Sequence, residues 1–346
     1  MSENSFNYVE VIRTGVEIGA SDIHLTVGSP PLFRVNESLV SLKYTEKLAP
    51  EDLSFIVGDL LKNEEAQKYD LLIKGQMDMS TKIEGIGRLR LNIYKQRGSY
   101  ALAFRTIPFN VPQLKDLGLP DVVENLSLKD KGLVLVAGQS GSGKSTTLAG
   151  IINYINSRKS SHIITLEDPV EFLHKHNRSV INQREIGHDT CGWEEGVESA
   201  LRQNPDVLMV ADVKDGNIFN HCLIAAETGH LVLASLYAKS CDSVLDKIDS
   251  FYSNEIERKQ IRLRLSEVLE GIVVQDLIPC VDNGGMVVAC EILTKGHNVS
   301  ENIKNRIPLK PLIQKGEAMD MVSMESSLKK LNEMGLIGIQ EIIRRT

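Results

Sequence analysis

Residues 132–156 read GLVLVAGQSGSGKSTTLAGIINYIN, and the fold is decided by how this stretch divides. Gly132–Ala137 is a short apolar run of the kind that forms a strand covered on both faces. Gly138-Gln139-Ser140-Gly141-Ser142-Gly143-Lys144-Ser145 follows at once and satisfies G-x-x-x-x-G-K-[ST], and from Thr146 to Asn156 the pattern is helical. The glycines let the backbone curl so that its N–H groups point inward at phosphate oxygens. Lys144 would reach the outer phosphates, and the Ser145 hydroxyl would bind a magnesium ion. The helix that opens behind them adds the positive end of its dipole. A chance glycine-rich turn is the bland alternative, and the strand before and helix after the loop count against it. Gly138 to Thr146 are therefore the candidate ATP-binding residues.

Working outward, His162–Leu166, Asp206–Val210 and His230–Ser235 are further short apolar runs separated by helical patterns, which predicts an α/β unit with a parallel sheet. Two of these runs end in acids. In Ile164–Phe172 (ITLEDPVEF) the carboxylates sit just past a strand expected to neighbour the P-loop strand, and Glu167 is the candidate base. Asp206–Asp212 (DVLMVAD) is a hydrophobic strand ending in a carboxylate, the form of a Walker B segment, which would bring Asp212 to the magnesium directly or through a water. A charged loop at a strand end is common on any α/β surface, so the P-loop carries the weight of the functional reading. Residues from about Glu255 to Thr346 read mainly as helices with one more strand at Met286–Leu293.

Toward the N-terminus, Phe6, Val9, Ile12, Val16 and Ile18 predict an amphipathic helix over Ser5–Gly19. Asp22–Val40 reads as strands broken at Gly28, Pro30 and Pro31, and Pro50–Leu61 as a helix. Gln76–Lys82, Gly87–Tyr94 and Tyr100–Ile107 alternate as an antiparallel meander. The expected organisation is an α+β domain over 1–107, a linker over 108–119 and a P-loop domain over 120–346.

The 346 residues carry a formal net charge of -7, which argues against a whole-molecule basic field and against nucleic acid as a partner. Five cysteines without a C-x-x-C pair suggest neither a disulfide framework nor a zinc ribbon, and are expected to be mostly buried. Neither a signal-peptide pattern nor a run near ~20 apolar residues is present, so a cytoplasmic protein without direct membrane insertion is expected. Met77 and Met79 are expected to pack, Trp193 to anchor a helix start, and His174 and His176 to lie on a solvated loop.

The P-loop run, HIITLEDPVEF, INQREIGHDT, NPDVLMVADVKD and AAETGHLVLASLYA, with GASDIHLTVGSPPLFRV and GRLRLNIYKQRGSYALAFRTIP before them, resemble the secretion ATPase superfamily in its type IV pilus retraction, PilT-like branch. The likeness runs to about Leu293. It implies a PAS-like N-terminal domain, then a RecA-like P-loop ATPase domain with a helical C-terminal end. It further implies a homo-hexameric ring that hydrolyses ATP with magnesium at subunit interfaces to power pilus retraction and twitching motility. The ring would sit peripherally at the inner face of the cytoplasmic membrane on a platform protein, with paralogous pilus ATPases as further partners. Residue by residue, the resemblance makes Glu167 the catalytic glutamate, Asp212 the end of the Walker B strand and His230 the start of a histidine box. It also brings N-terminal arginines to a nucleotide, at Arg88, Arg90, Arg97 or Arg105; Arg97 and Arg105 are the candidates for catalysis. A guanidinium would stabilise the charge that phosphoryl transfer builds; exposed strand residues or ion pairs are the alternative. The lack of a tetracysteine module favours the retraction branch over the assembly branch.

Three departures stand out. The family's Gly-Glu-Met-Arg-Asp is Ala211-Asp212-Val213-Lys214-Asp215 here, its second histidine is Tyr237, and Asn298–Ile313 keeps only an amphipathic suggestion of the family's C-terminal motif. Two readings stay open: an active motor, or a catalytically weakened paralogue that binds nucleotide as a regulatory or structural ring subunit.

Overall fold

The computed structural model describes residues 6–35, 38–41, 46–106, 111–281, 285–316 and 320–345. Two compact units divide the chain, Met1–Phe109 and Asn110–Thr346. Ser5, Ile107, Pro108, Phe109 and Asn110, which belong to the predicted first helix, last N-terminal strand and linker, lie outside the described residues.

In the first unit, α1 (Tyr8–Glu17) is capped by the Asn7 side chain, which accepts from the Glu10 N–H. Then come β1 (Asp22–Thr26), β2 (Leu32–Val35), β3 (Ser38–Ser41), α2 (Pro50–Leu60), α3 (Glu65–Lys74), β4 (Gln76–Ile83), β5 (Gly87–Gln96) and β6 (Ser99–Thr106). The strands form one antiparallel sheet in the order β3-β2-β1-β6-β5-β4. Strand alternation turns Leu89, Leu91 and Ile93 of β5 into a core shared with Phe33, Phe104, Ile12, Leu53 and Ile56. Met77 and Met79 join that core, as packing residues. Helix α3 has no counterpart among the elements expected from sequence: its Tyr69, Leu72 and Ile73 are exposed, so the apolar stripe that would announce it is weak.

The second unit opens with a 3-10 turn (Leu114–Leu117) and α4 (Val122–Ser127). It continues through β7 (Gly132–Ala137), α5 (Lys144–Arg158), β8 (His162–Glu167), β9 (Val180–Glu185), α6 (Trp193–Leu201), β10 (Val207–Val210), α7 (Gly216–Glu227) and β11 (Leu231–Leu236). It closes with α8 (Cys241–Ser250), α9 (Glu255–Val268), β12 (Leu269–Pro279), β13 (Met286–Thr294), α10 (His297–Asn305), α11 (Lys310–Lys315), α12 (Met324–Glu333) and α13 (Ile339–Arg345). The sheet runs β13-β12-β7-β11-β10-β8-β9, parallel except for β13. Each inner strand is buried on both faces. Leu133 and Leu135 of β7 pack with Leu208, Val210, Val232 and Phe219, whereas Val134 and Val136 pack with Leu148, Ile152 and Val123 on the opposite face. That is why these strands read as unbroken apolar runs.

Two expectations fail here. Strand β8 does not neighbour the P-loop strand, because the later strands β10 and β11 insert between them. The region after Glu255 holds β12 as well as β13, and β12 pairs with β7. The start of β12 is hidden in the sequence because α9 passes into it without a breaker: Val268 ends the helix and Leu269 begins the strand. Trp193 does open a helix, and Cys222, Cys241 and Cys290 are buried; Cys280 is half-buried and Cys191 exposed. Among the described residues no helix is long and apolar enough to cross a membrane.

Phe104 is fully buried at the centre of the first unit, so Phe104→Ala removes a ring that nothing nearby can replace. The expected cost is about 3–5 kcal/mol in the unfolding free energy of that unit, read from its denaturant midpoint.

Candidate nucleotide site

Because β7 lies between β11 and β12, its carboxyl end opens in the middle of the sheet, and the P-loop starts there. Gly143 caps α5 at φ +86, a left-handed conformation that suits glycine. At Gly138 a Cβ would come within 2.6 Å of the Gln275 carbonyl oxygen, so the loop can pass this close to β12 only without a side chain. Gln275 also donates its Nε2 to the Ser142 carbonyl at 2.6 Å, fastening the loop from the neighbouring strand. The Ser142 hydroxyl is buried and has no partner among the described residues.

Lys144 donates its Nζ to the carbonyl oxygens of Gly138 (3.0 Å) and Gln139 (2.8 Å). Burial lowers its pKa, and the facing carboxylates of Asp212 and Glu171 oppose that shift. The ring of Tyr237, just past β11, lies 4.3 Å from Nζ. Ser145 donates its hydroxyl to Glu171 Oε1 at 2.9 Å. Thr146 begins the body of α5 beside them.

Glu167 closes β8 and is 6% exposed. Burial raises its pKa against three opposing hydrogen bonds. Its Oε1 accepts from the Thr165 hydroxyl (2.6 Å) and Gln183 Nε2 (3.0 Å), while among the described residues Oε2 accepts only a long 3.4 Å bond from the Glu171 N–H. Oε2 is therefore the oxygen with lone pairs to spare. Asp212 follows β10, the strand paired with β8, and Ala211 N–H bonds the Leu166 carbonyl at 3.0 Å, so the two acidic strand ends are adjacent. Burial raises the Asp212 carboxyl, countered by Lys214 at 3.9 Å and by Lys144. Lys144 thus faces Asp212 and Glu171 more directly than Glu167.

Oxygen donors from Ser145, Asp212 and Glu171 suit a hard cation such as magnesium. Among the described residues no three His, Cys, Asp or Glu side chains close on one point, so a magnesium ion here would depend on nucleotide phosphates for further ligands.

His230 is not part of this group. It precedes β11, which runs parallel to β7, and its carbonyl accepts from the Gly132 N–H at the start of that strand. The P-loop leaves the other end, about 20 Å along a six-residue strand. The His230 Nδ1 instead lies 2.9 Å from the Ala225 carbonyl oxygen, and Tyr237 at the far end of β11 is the member of that segment that meets the loop. His174 is on a loop, as expected, but is partly buried there rather than solvated, which depresses its imidazole to about 4, and its Nδ1 has no partner among the described residues. His176 is exposed, as expected.

In the first unit, Arg105 Nε bonds Asp22 Oδ1 at 2.9 Å. Burial would raise the Asp22 carboxyl, but the Ser21 hydroxyl and the Arg105 guanidinium together hold it below the usual range. Arg90 pairs across the sheet with Arg105 in register, and approaches Asp78 at 3.8 Å. Arg97 is exposed in the β5–β6 turn at φ +48. The Arg88 side chain lies outside the described residues.

Sequence reasoning misses Glu171, Gln183 and Gln275. Glu171 carries a signal, as the second acid of the ITLEDPVEF stretch; Gln275 carries none, since it sits in the strand that the helical pattern hides.

The family description "Type II/IV secretion system protein" matches residues 98–332. The chain belongs to this family. It is 34% identical to the type IV pilus retraction ATPase PilT of Pseudomonas aeruginosa, over 95% of this chain and 94% of that protein. It is 33% identical to the type IV pilus ATPase PilU of the same organism, over 97% of this chain and 87% of that one. Among solved structures, the pilus retraction motor PilT with bound ADP matches at a TM-score of 0.90 and 39% identity, covering 98% of this chain and 96% of that one. The chain is thus a PilT-like secretion ATPase family member, and its family supports nucleotide use in general terms.

Removing the ammonium should be felt in binding. Lys144→Ala is expected to weaken ATP binding about ten- to a hundredfold, the worth of one or two charge-assisted hydrogen bonds, measured by calorimetry with magnesium ATP.

Proposed function

We propose that this protein is a hexameric ATPase motor that powers type IV pilus retraction and twitching motility, with a PAS-like first domain, a connecting segment over 108–119 and a RecA-like second domain. The observation that carries the reading is the convergence of Lys144, Ser145, Glu171 and Asp212 at the carboxyl end of a central strand, within a chain similar throughout its length to PilT. In this proposal the backbone of Gly138 to Gly143 cradles phosphates, with Lys144 on the outer ones and Thr146 beside them. Ser145 and Asp212 hold the magnesium, which neutralises phosphate charge when bound. Glu167 takes a proton from the attacking water through Oε2, its charge oriented by Thr165 and Gln183. Arg97 and Arg105 supply guanidinium charge at an interface of the ring, and the Asp22 pair holds Arg105 until it is engaged. The assembly would act in the cytoplasm, against a platform protein at the inner face of the membrane.

A second reading is a regulatory ring subunit with weak turnover. It is favoured by Asp212, whose carboxylate is one methylene shorter than the glutamate expected there and is drawn toward Lys214. Steady-state phosphate release separates the two. For a motor, turnover should be measurable and fall by at least about 100-fold in Glu167→Gln, while ATP still binds. Binding without turnover in the unaltered protein supports the regulatory subunit. Mass photometry with ATP should show a species near six times 38.4 kDa; a monomer at every concentration rejects the ring.

The pH profile tests Glu167 itself. A base must be ionised, so turnover should fall as pH drops through a pKa already raised by burial. Gln183→Leu deletes a donor to the ionised form and should move that acid limb to higher pH; no movement would remove Glu167 as the titrating group. Arg97→Ala or Arg105→Ala should lower turnover by about tenfold or more while ATP binding is largely kept. Full turnover in both would reject these arginines.

A further inference from the structure

Lys144 is held at the P-loop by more than the loop. Two of its three N–H groups are taken by the Gly138 and Gln139 carbonyls, and the ring centroid of Tyr237 lies 4.3 Å from Nζ. That distance is inside the range at which an ammonium is attracted by the negative face of a ring. The attraction acts on the whole ammonium charge rather than through one directed hydrogen bond, so it can hold Lys144 without a fixed donor–acceptor pair. Half-buried surroundings strengthen it, because water competes less for the cation.

Tyr237 has the freedom to take this place. It follows β11, the strand paired with β7 along its whole length, so the register Leu236 to Ala137 carries it to the level of the loop. It is about half exposed, at 52%, so the ring stands at the surface of the site. Its hydroxyl makes no hydrogen bond among the described residues. The ring belongs to none of the hydrophobic core clusters, and the charge of Lys144 lies beneath it.

We propose that Tyr237 is a positioning residue for Lys144, its ring face holding the ammonium at the mouth of the P-loop so that affinity for a nucleoside triphosphate depends on the electron density of that ring. The inference rests on the nucleotide-binding reading given above and deepens it. Nothing in the proposal requires Tyr237 to touch the reacting atoms.

The test replaces residue 237 with phenylalanine and then with mono-, di- and trifluorophenylalanine, which weaken the ring face while keeping nearly the same size. The dissociation constant for magnesium ATP should rise stepwise through the series, by about two- to fivefold in total, the equivalent of about 0.5–1 kcal/mol of cation–π attraction. A purely structural ring would give a flat series, and a flat or falling series overturns the proposal. Tyr237→Leu, which has no ring, should bind ATP at least as weakly as the trifluoro variant; affinity equal to the unaltered protein in that variant also overturns it. If the whole loss occurs between tyrosine and phenylalanine and fluorine adds nothing, the hydroxyl acts and the ring does not, which again rejects the inference. ATP binding in the unaltered protein keeps these outcomes separate from the parent reading: no binding there overturns both, whereas binding with a flat series overturns this inference alone.

Discussion

The second unit rests on the burial of β7. Its six residues are covered on both faces by helices and on both edges by strands, so no member of it is exposed. A strand enclosed in this way has only its ends free, and the chain leaving its carboxyl end must turn sharply to begin α5. Glycine at positions 138 and 143 makes the turn possible, one by permitting close approach to β12 and one by accepting a left-handed backbone. The site is therefore a consequence of the core: the same enclosure that stabilises β7 aims the loop and the first turn of α5 at one point.

Burial also sets the electrostatics. It lowers the Lys144 ammonium and raises the Glu167 and Asp212 carboxyls, each toward its neutral form. Opposite charges and hydrogen bonds resist that drift: Asp212 and Glu171 support Lys144, while Thr165, Gln183 and the Glu171 N–H support Glu167. A group of charges balanced against desolvation responds strongly to one added ligand of high charge, which is the behaviour expected where phosphates bind.

Local signals make much of this legible in the amino-acid sequence. Glycine spacing announces the P-loop, apolar runs the acidic strand ends, and alternation the antiparallel meander of the first unit. Pairing is not legible in the same way. The sequence order suggests β8 beside β7, yet β10 and β11 stand between them, because strand order is set by pairing between segments far apart in the chain. Strand β12 is masked by a helix that runs into it without a breaker. With it goes Gln275, which holds the loop from a position 133 residues away.

The segment from His230 to Tyr237 illustrates the division. Its span over His230–Tyr237 is readable as a strand, but a strand has two ends, and only pairing with β7 shows that Tyr237 meets the loop and His230 does not. By itself the sequence determined the P-loop strand and helix, the acidic strand ends, the glycine-rich motif and the family, since each depends on residues close together in the chain. Tertiary structure decided which side chains meet at the loop, because contact between residues far apart in sequence depends on strand order and register, to which local propensity is blind.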